Sequence, residues 1–375
     1  MGPYLVTLAL ICGLGGIIEY GRSKQLTAML LVGKKPITVQ RLDFLWLFIF
    51  LILTLFGGLR YRVGTDYDSY CTMFAALYED WNEILYGGTE RGYVWLNRIV
   101  TLYTNDPQWI IFISNAIVSW IGVHCLRKYG KFAPFGLFIF FTTLYYYSFN
   151  VIRQGMAASF IFWAVCEARE KKWISTVLLC FVAFLFHKTS LIMVPVLLLM
   201  CHPYKTSRYF VFFAGATLCM LFKIPISEFL ISTFYPNTAG DAATAMSDFS
   251  PTQVILCLMY MGLCVLYAKQ MLQCNKGNIL YVNLSVLIFS LYTFFFWIPM
   301  WSRLNLYFIG LYALIVPEAV VCEKDKKMRL IYYSVLLGIL LFFYIGPSLI
   351  GQDGYAYQAI WERPPEYLSQ LYLPK

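Results

Sequence analysis

Long apolar runs alternate with short polar breaks from one end of the chain to the other. Runs near 3–18, 43–59, 108–126, 132–149, 151–168, 173–186, 189–201, 208–224, 252–268, 278–297, 303–321 and 330–350 each read as a membrane-span candidate, because about 20 apolar residues cross a bilayer as a helix. The pattern predicts an all-α polytopic membrane protein of about twelve helices. The polar remainder is too short for a separate soluble domain of ordinary size, so 1–375 is expected to form a single membrane-embedded domain.

The joint 173–201, WISTVLLCFVAFLFHKTSLIMVPVLLLM, reads as one long span or two short ones. Two helices of about 14 residues reach only about 21 Å each, less than a hydrocarbon core of roughly 30 Å. Two spans are preferred on charge grounds given below, and they place the His187 turn below the membrane surface in a protein-lined depression. Two polar connections are long. Segment 60–107 carries Asp66, Asp68, Glu79, Asp80, Glu83, Glu90 and Asp106, with Tyr93, Val94, Leu96, Ile99, Val100 and Tyr103 spaced as in an interfacial helix. Segment 225–250 holds Pro, Gly, Ser and Ala with Asp241 and Asp248, and reads as a flexible loop or lid.

Composition sharpens this picture. Of the 375 residues, 60% are hydrophobic and only 13% charged, which no water-soluble domain of this size requires. The net charge of +9 raises the question of nucleic acid. The basic residues, however, form short clusters between apolar runs rather than one face, so no nucleic-acid partner is expected. Alternate connections carry Arg22, Lys24, Lys34, Lys35 and Arg41; Arg127, Lys128 and Lys131; Arg169, Lys171 and Lys172; Lys205 and Arg208; Lys269 and Lys276; and Lys324, Lys326, Lys327 and Arg329. That side is cytoplasmic by the positive-inside rule, and both termini then lie outside. Counting 173–201 once would throw the last cluster outside, which is why two spans are preferred. The scattered cysteines, including Cys12, Cys125, Cys166, Cys180, Cys219, Cys257 and Cys264 within apolar runs, read as small buried hydrophobes. The first apolar stretch lacks preceding basic residues and a convincing cleavage site, so it is expected to be a retained span.

With this topology the unusual polar clusters share the outer side: Arg60, Arg62, Gly64, Thr65, Asp66, Tyr67 and Tyr70; Glu90 to Tyr93; Asn150, Arg153 and Gln154; His187, Lys188 and Thr189; and Arg303. Basic residues are disfavoured there, and charges at membrane depth usually face a cavity and serve function. Arginine's forked donors suit phosphate or diphosphate. Each element also has a plain structural reading. Arg60 and Arg62 can snorkel to lipid phosphates, Asp66 can cap a helix, His187 can bond a carbonyl, and Asn150 with Gln154 can fasten two helix ends. Tyr145, Tyr146, Tyr147, Trp297 and Trp301 fit an interfacial belt better than a sugar platform. Gly13, Gly15 and Gly16 fit helix packing better than a nucleotide loop.

Taken in order, RYRVGTDY from Arg60 to Tyr67 with Tyr70, ERGY from Glu90 to Tyr93 with Asn97, NVIRQGMA from Asn150 to Ala157, HKTSL from His187 to Leu191 and RLNLYF from Arg303 to Phe308 resemble the motifs of the EpsG family of bacterial exopolysaccharide polymerases, related to Wzy-type polymerases. The resemblance runs from about residue 42 to 320. It implies a GT-C-like glycosyltransferase of the cytoplasmic membrane, independent of metal and of cofactors. Its donor and acceptor would be undecaprenyl-diphosphate-linked oligosaccharides at the extracytoplasmic face, giving exopolysaccharide, capsule or O-antigen, with a flippase and a chain-length regulator as expected partners. The loop 225–250 and the tail 351–375 match no motif and are left to set substrate choice.

Such a transfer needs a stabiliser for the departing diphosphate and a base for the acceptor hydroxyl. Arg60, Arg62, Arg153 and Arg303 are the expected stabilisers. Asp66, His187 and Glu90 are the candidate bases, with no choice among them from sequence. Thr65, Tyr67, Tyr70, Lys188, Asn150 and Gln154 are expected to line the substrate site. An O-antigen-ligase-like transferase shares nearly all this chemistry. A secondary transporter or lipid flippase and an acyltransferase using His187 are the readings from other classes.

Overall fold

A computed structural model of the chain describes residues 1–25, 27–32, 35–40, 42–81, 89–234, 249–298, 301–349 and 356–372. The apolar runs are helices: Gly2–Ser23, Leu45–Gly58, Gln108–Tyr129, Ala133–Phe140 continuing through a π turn Phe141–Tyr145, Ile152–Arg169, Trp173–Phe186, Met193–Met200, Thr206–Leu221, Pro251–Leu266, Ile279–Phe294, Trp301–Ile309 with Tyr312–Val321, and Lys326–Leu349. The all-α expectation needs one addition. Within a connection read only as basic, Thr27–Val32 pairs antiparallel with Lys35–Gln40, in a register running from Thr27↔Gln40 to Val32↔Lys35. Its Thr, Val and Ile content favours a strand, but segments this short carry little periodic signal.

Contacts at the helix ends sort the connections onto two faces. At the basic face, Arg127 pairs with Asp43 at 2.8 Å and Arg22 donates to the Arg127 carbonyl at 3.3 Å. There too, Glu19 accepts from the Ala133 N–H at 3.1 Å, Arg169 donates to Asn278 at 2.7 Å, and Phe132 stacks on Tyr333. At the opposite face Tyr4 packs edge-on against Phe56, Tyr146 and Tyr357, while Gln108 donates to the Gly58 carbonyl at 2.6 Å. Gly2–Ser23, Leu45–Gly58, Gln108–Tyr129 and Ala133–Tyr145 therefore run alternately up and down between the two faces.

The 173–201 joint behaves as a reversal. His187 takes an extended backbone (φ −158°) that ends Trp173–Phe186, a 3₁₀ turn Lys188–Ile192 follows, and Met193–Met200 returns. Trp173 and Cys201 consequently line the same cavity at the basic face. Residues 225–234, read as the start of a loop, belong to helix Lys223–Phe234; 235–248 lie outside the described residues.

Among the described residues five helices are long and apolar enough to cross a bilayer alone. The number is seven if Thr206–Leu221 with Lys223–Phe229, bent by 80°, and Pro251–Leu266 with Ala268–Cys274, bent by 61°, each count as one span. Leu45–Gly58, Ala133–Tyr145, Trp173–Phe186 and Lys188–Met200 are apolar but shorter. The centre is built from small and branched side chains, with Ile161, Ala164 and Val165 of Ile152–Arg169 wholly buried. The outer helices leave Ile174 (81% exposed), Val211 (72%) and Leu221 (74%) facing outward. A soluble protein would bury such surface, so these faces are built for lipid. Of the seven cysteines noted in apolar runs, Cys125, Cys166, Cys180, Cys257 and Cys264 are buried and Cys12 and Cys219 half-buried.

Candidate active site

Two motif glycines bring the site together. Gly64 adopts φ +96°, and a Cβ there would stand 2.9 Å from the Phe149 carbonyl oxygen, so only glycine lets the chain pass this close to Phe149 and Asn150. The Asn150 side-chain oxygen then accepts from the Thr65 hydroxyl at 2.7 Å and from the Asp66 N–H at 3.1 Å. Gly92 does the same for the next motif. A Cβ there would meet the Leu185 carbonyl oxygen at 2.7 Å, and this approach of helix Arg91–Thr101 to the end of Trp173–Phe186 carries Glu90 to His187.

Glu90 is the hub of the first cluster. Its Oε2 accepts from Arg153 Nη1 at 2.7 Å, and its Oε1 lies 2.8 Å from His187 Nδ1 and accepts the Lys188 N–H at 3.3 Å. The His187 approach is a close contact off the N–H line, since Nδ1 is buried without an aligned acceptor. Burial alone would raise the Glu90 carboxyl, yet the His187 contact and the Arg153 charge outweigh it and lower it to about 2. Glu90 therefore stays ionised at any working pH with both oxygens engaged, which suits a positioning carboxylate and not a proton acceptor. Tyr70, buried under Arg153, packs edge-on against Tyr93.

The second cluster is a cavity of about 550 Å³ whose walls include Asp66, Asn150, Gln154, Trp301 and Arg303. Asp66 precedes helix Tyr67–Glu79 but its side chain makes no capping bond there, contrary to the plain reading of that residue. Asn150 and Gln154 line the cavity, and the Gln154 amide also donates to the Arg303 carbonyl, fastening helix Trp301–Ile309. Tyr307, one turn beyond Arg303, shares a 2.9 Å hydrogen bond with Thr189 and so joins this helix to the His187 turn. The two clusters are thus neighbours on one face. Tyr147, Tyr292 and Trp301 line the same cavity, so part of the aromatic group read as belt faces the cavity.

Arg60, Arg62 and Tyr67 lie outside the cavity wall. Arg60 is only 1% exposed; its guanidinium donates to the Gly57 carbonyl and at 3.4 Å to that of Phe149, and lies 4.4 Å over the Phe149 ring. It braces main chain and does not line the cavity. Arg62, with a left-handed backbone (φ +51°), pairs on the surface with Asp68 at 3.1 Å and stacks near Tyr61 and Tyr367. Tyr67 is buried and donates to Gln108 at 2.6 Å. Thr65 and Lys188 are exposed beside their clusters. Arg60→Ala is therefore expected to destabilise by about 1–3 kcal/mol for each buried carbonyl left without a donor. Thermal unfolding in detergent measures this; an unchanged melting temperature with loss of activity would return Arg60 to the substrate.

Sequence reasoning missed Gln108, whose amide also donates to the Arg60 carbonyl at 3.0 Å, and Tyr307, Gln253 and Asn305. It also gave no partner for the C-terminal segment, which it left to set substrate choice. Tyr61 and Ile360 donate to the Gln358 and Leu59 carbonyls at 2.8 Å, and Arg363 forks onto Asp106 with two 2.8 Å bonds. A family model described as the EpsG family matches residues 43–359. No curated protein and no solved structure matches the chain significantly.

Proposed function

Since the chain belongs to the EpsG family, we propose that it is a membrane glycosyltransferase that polymerises lipid-diphosphate-linked oligosaccharide units into an exopolysaccharide, working at the extracytoplasmic face of a bacterial cytoplasmic membrane. The observation carrying this reading is the cavity in which Asp66 and Arg303 share one wall system beside the Glu90–Arg153–His187 cluster. Twelve spans, both termini outside and a GT-C-like architecture belong to the same proposal. They are supported by the helix runs that begin on one face and end on the other, with the basic clusters collected at one of them. The exposed row Trp95, Ile99, Leu102 and Tyr103 on and just after helix Arg91–Thr101 supports an interfacial helix over the outer leaflet.

In the proposed reaction the acceptor hydroxyl oxygen attacks the anomeric carbon of the donor. The bond from that carbon to the lipid diphosphate breaks, the diphosphate leaves with the electron pair, and the hydroxyl proton passes to a base. Arg303 and Arg153 stabilise the diphosphate by fixed charge aimed at the leaving group. Asp66 is the base: it lines the cavity and is free of capping duty, whereas Glu90 is held ionised by its partners. His187 and Glu90 position Arg153. Aromatic side chains at the cavity wall, Tyr147 and Trp301, stack on sugar faces.

Deleting the gene and sizing surface glycans and lipid-linked intermediates tests the activity: single repeat units should accumulate. Unchanged polymer defeats the proposal, as does purified protein that moves lipid-linked glycan across liposomes without forming glycosidic bonds. The base assignment has its own test. Asp66→Asn should lower polymerisation about 10²–10⁴-fold, and His187→Gln by less. The reverse ranking transfers the role to His187.

A further inference from the structure

On the face opposite the Asp66 cavity lies a larger one, of about 880 Å³, where the 168–173, 201–203 and 269–279 segments meet. Arg169, Lys171, Lys269, Lys276 and His202 line it. The acids nearby are already engaged. Glu318 pairs with Arg169 at 3.1 Å, Glu170 sits 3.4 Å from Arg169 and accepts from Asn275 at 3.1 Å, and Glu167 pairs with Lys128 and Lys172. Among the described residues Lys171, Lys269 and Lys276 make no ion pair, and all three are exposed. Helix Trp173–Phe186 begins at this cavity without a side-chain cap, whereas the 3₁₀ turn Lys276–Asn278 that leads into Ile279–Phe294 is capped by Asn275, whose side-chain oxygen accepts the Gly277 N–H at 2.8 Å. Three free ammonium groups and the positive end of helix Trp173–Phe186 around one recess make an anion site without a resident anion from the protein.

We propose that this cavity binds a phosphate-bearing group through Lys171, Lys269 and Lys276. The shared chemistry admits two sources, the headgroup of an anionic phospholipid and a soluble phosphate ester. An adjoining apolar cavity of about 360 Å³ lies across the 201–203 turn, lined by Leu199, Met200, Tyr204, Phe212 and Val286. It has the character required for an acyl chain, and a basic pocket between membrane helices is a known kind of lipid headgroup site. The site is distinct from the polymerising cavity and does not depend on the reaction proposed for it.

The test uses the purified full-length protein in detergent, with cardiolipin, phosphatidylcholine and inorganic diphosphate as probes. Wild type should show a melting temperature raised by several degrees with cardiolipin and at least tenfold weaker response to phosphatidylcholine. A variant carrying Lys171→Gln, Lys269→Gln and Lys276→Gln should lose that rise while melting as wild type without probe. A second variant, Lys324→Gln, Lys326→Gln and Lys327→Gln, removes as much charge from the same face but outside the cavity and should retain it. Response to cardiolipin alone assigns a headgroup; response to diphosphate without lipid assigns a soluble phosphate. No response in wild type, or an equal loss in both variants, overturns the site.

Discussion

Arg153→Ala is expected to abolish polymer synthesis while the protein still reaches the membrane at wild-type level. Arg153 is a quarter exposed, with one guanidinium nitrogen 2.7 Å from Glu90 Oε2. Its orientation is therefore set before substrate arrives, and a preorganised charge aimed at a developing one gains most in a site with little water. Losing one such group costs about 2.7–4 kcal/mol of transition-state stabilisation, or 10²–10³ in rate. Arg153→Lys keeps the charge and loses the fork, so it should recover only part of the rate. Glu90→Gln separates positioning from substrate contact, because it releases Arg153 and His187 together without removing either. A carboxyl lowered to about 2 adds stability that is complete above its ordinary value of 4.5 and is lost only as pH falls toward 2. The Glu90→Gln defect should accordingly be the same across the neutral range. In vitro polymerisation of lipid-linked units gives the readout, and wild-type polymer from Arg153→Ala would remove Arg153 from the mechanism.

Glu318→Ala is expected to be the most destabilising change at the other face. Glu318 and Arg169 are 2% and 5% exposed, 3.1 Å apart, and Asn278 donates to Glu318 at 3.0 Å while accepting from Arg169 at 2.7 Å. Removing the carboxylate takes away the closest charge partner of a buried guanidinium, leaving it the Asn278 side-chain oxygen, the more distant and more exposed Glu170 and the Tyr281 ring. Breaking one half of such a pair costs about 3–5 kcal/mol, whereas replacing both halves by apolar residues of similar volume is often neutral. The double change Arg169→Met with Glu318→Leu should therefore melt well above Glu318→Ala. If the single and double variants unfold at the same temperature, the pair is not what holds Ile152–Arg169 against Tyr312–Val321.

Much of the molecule was legible from the pattern of residue types. Helix positions followed from the apolar runs, because a backbone surrounded by lipid must satisfy its own hydrogen bonds. The reversal at His187 followed from counting charges, since a single span there would have placed a cluster of lysines on the wrong side. Membership of the EpsG family followed from five short motifs in order, and their glycines have a visible task at Gly64 and Gly92. The hairpin Thr27–Val32 with Lys35–Gln40 and the helix over 225–234 were not legible, being too short or too rich in turn formers for periodicity to mark them.

The side chains that share a face were determined by sequence, through the alternation of apolar runs with basic and acidic breaks. Which of those side chains meet was decided by tertiary structure. Arg60, Arg62 and Arg153 look alike along the chain, yet one is buried against main-chain carbonyls, one pairs with Asp68 in the open and one is held by Glu90. The physical reason is distance in sequence. Topology depends on the character of each run by itself, whereas a guanidinium's environment depends on carbonyls, rings and carboxylates that arrive from helices up to hundreds of residues away.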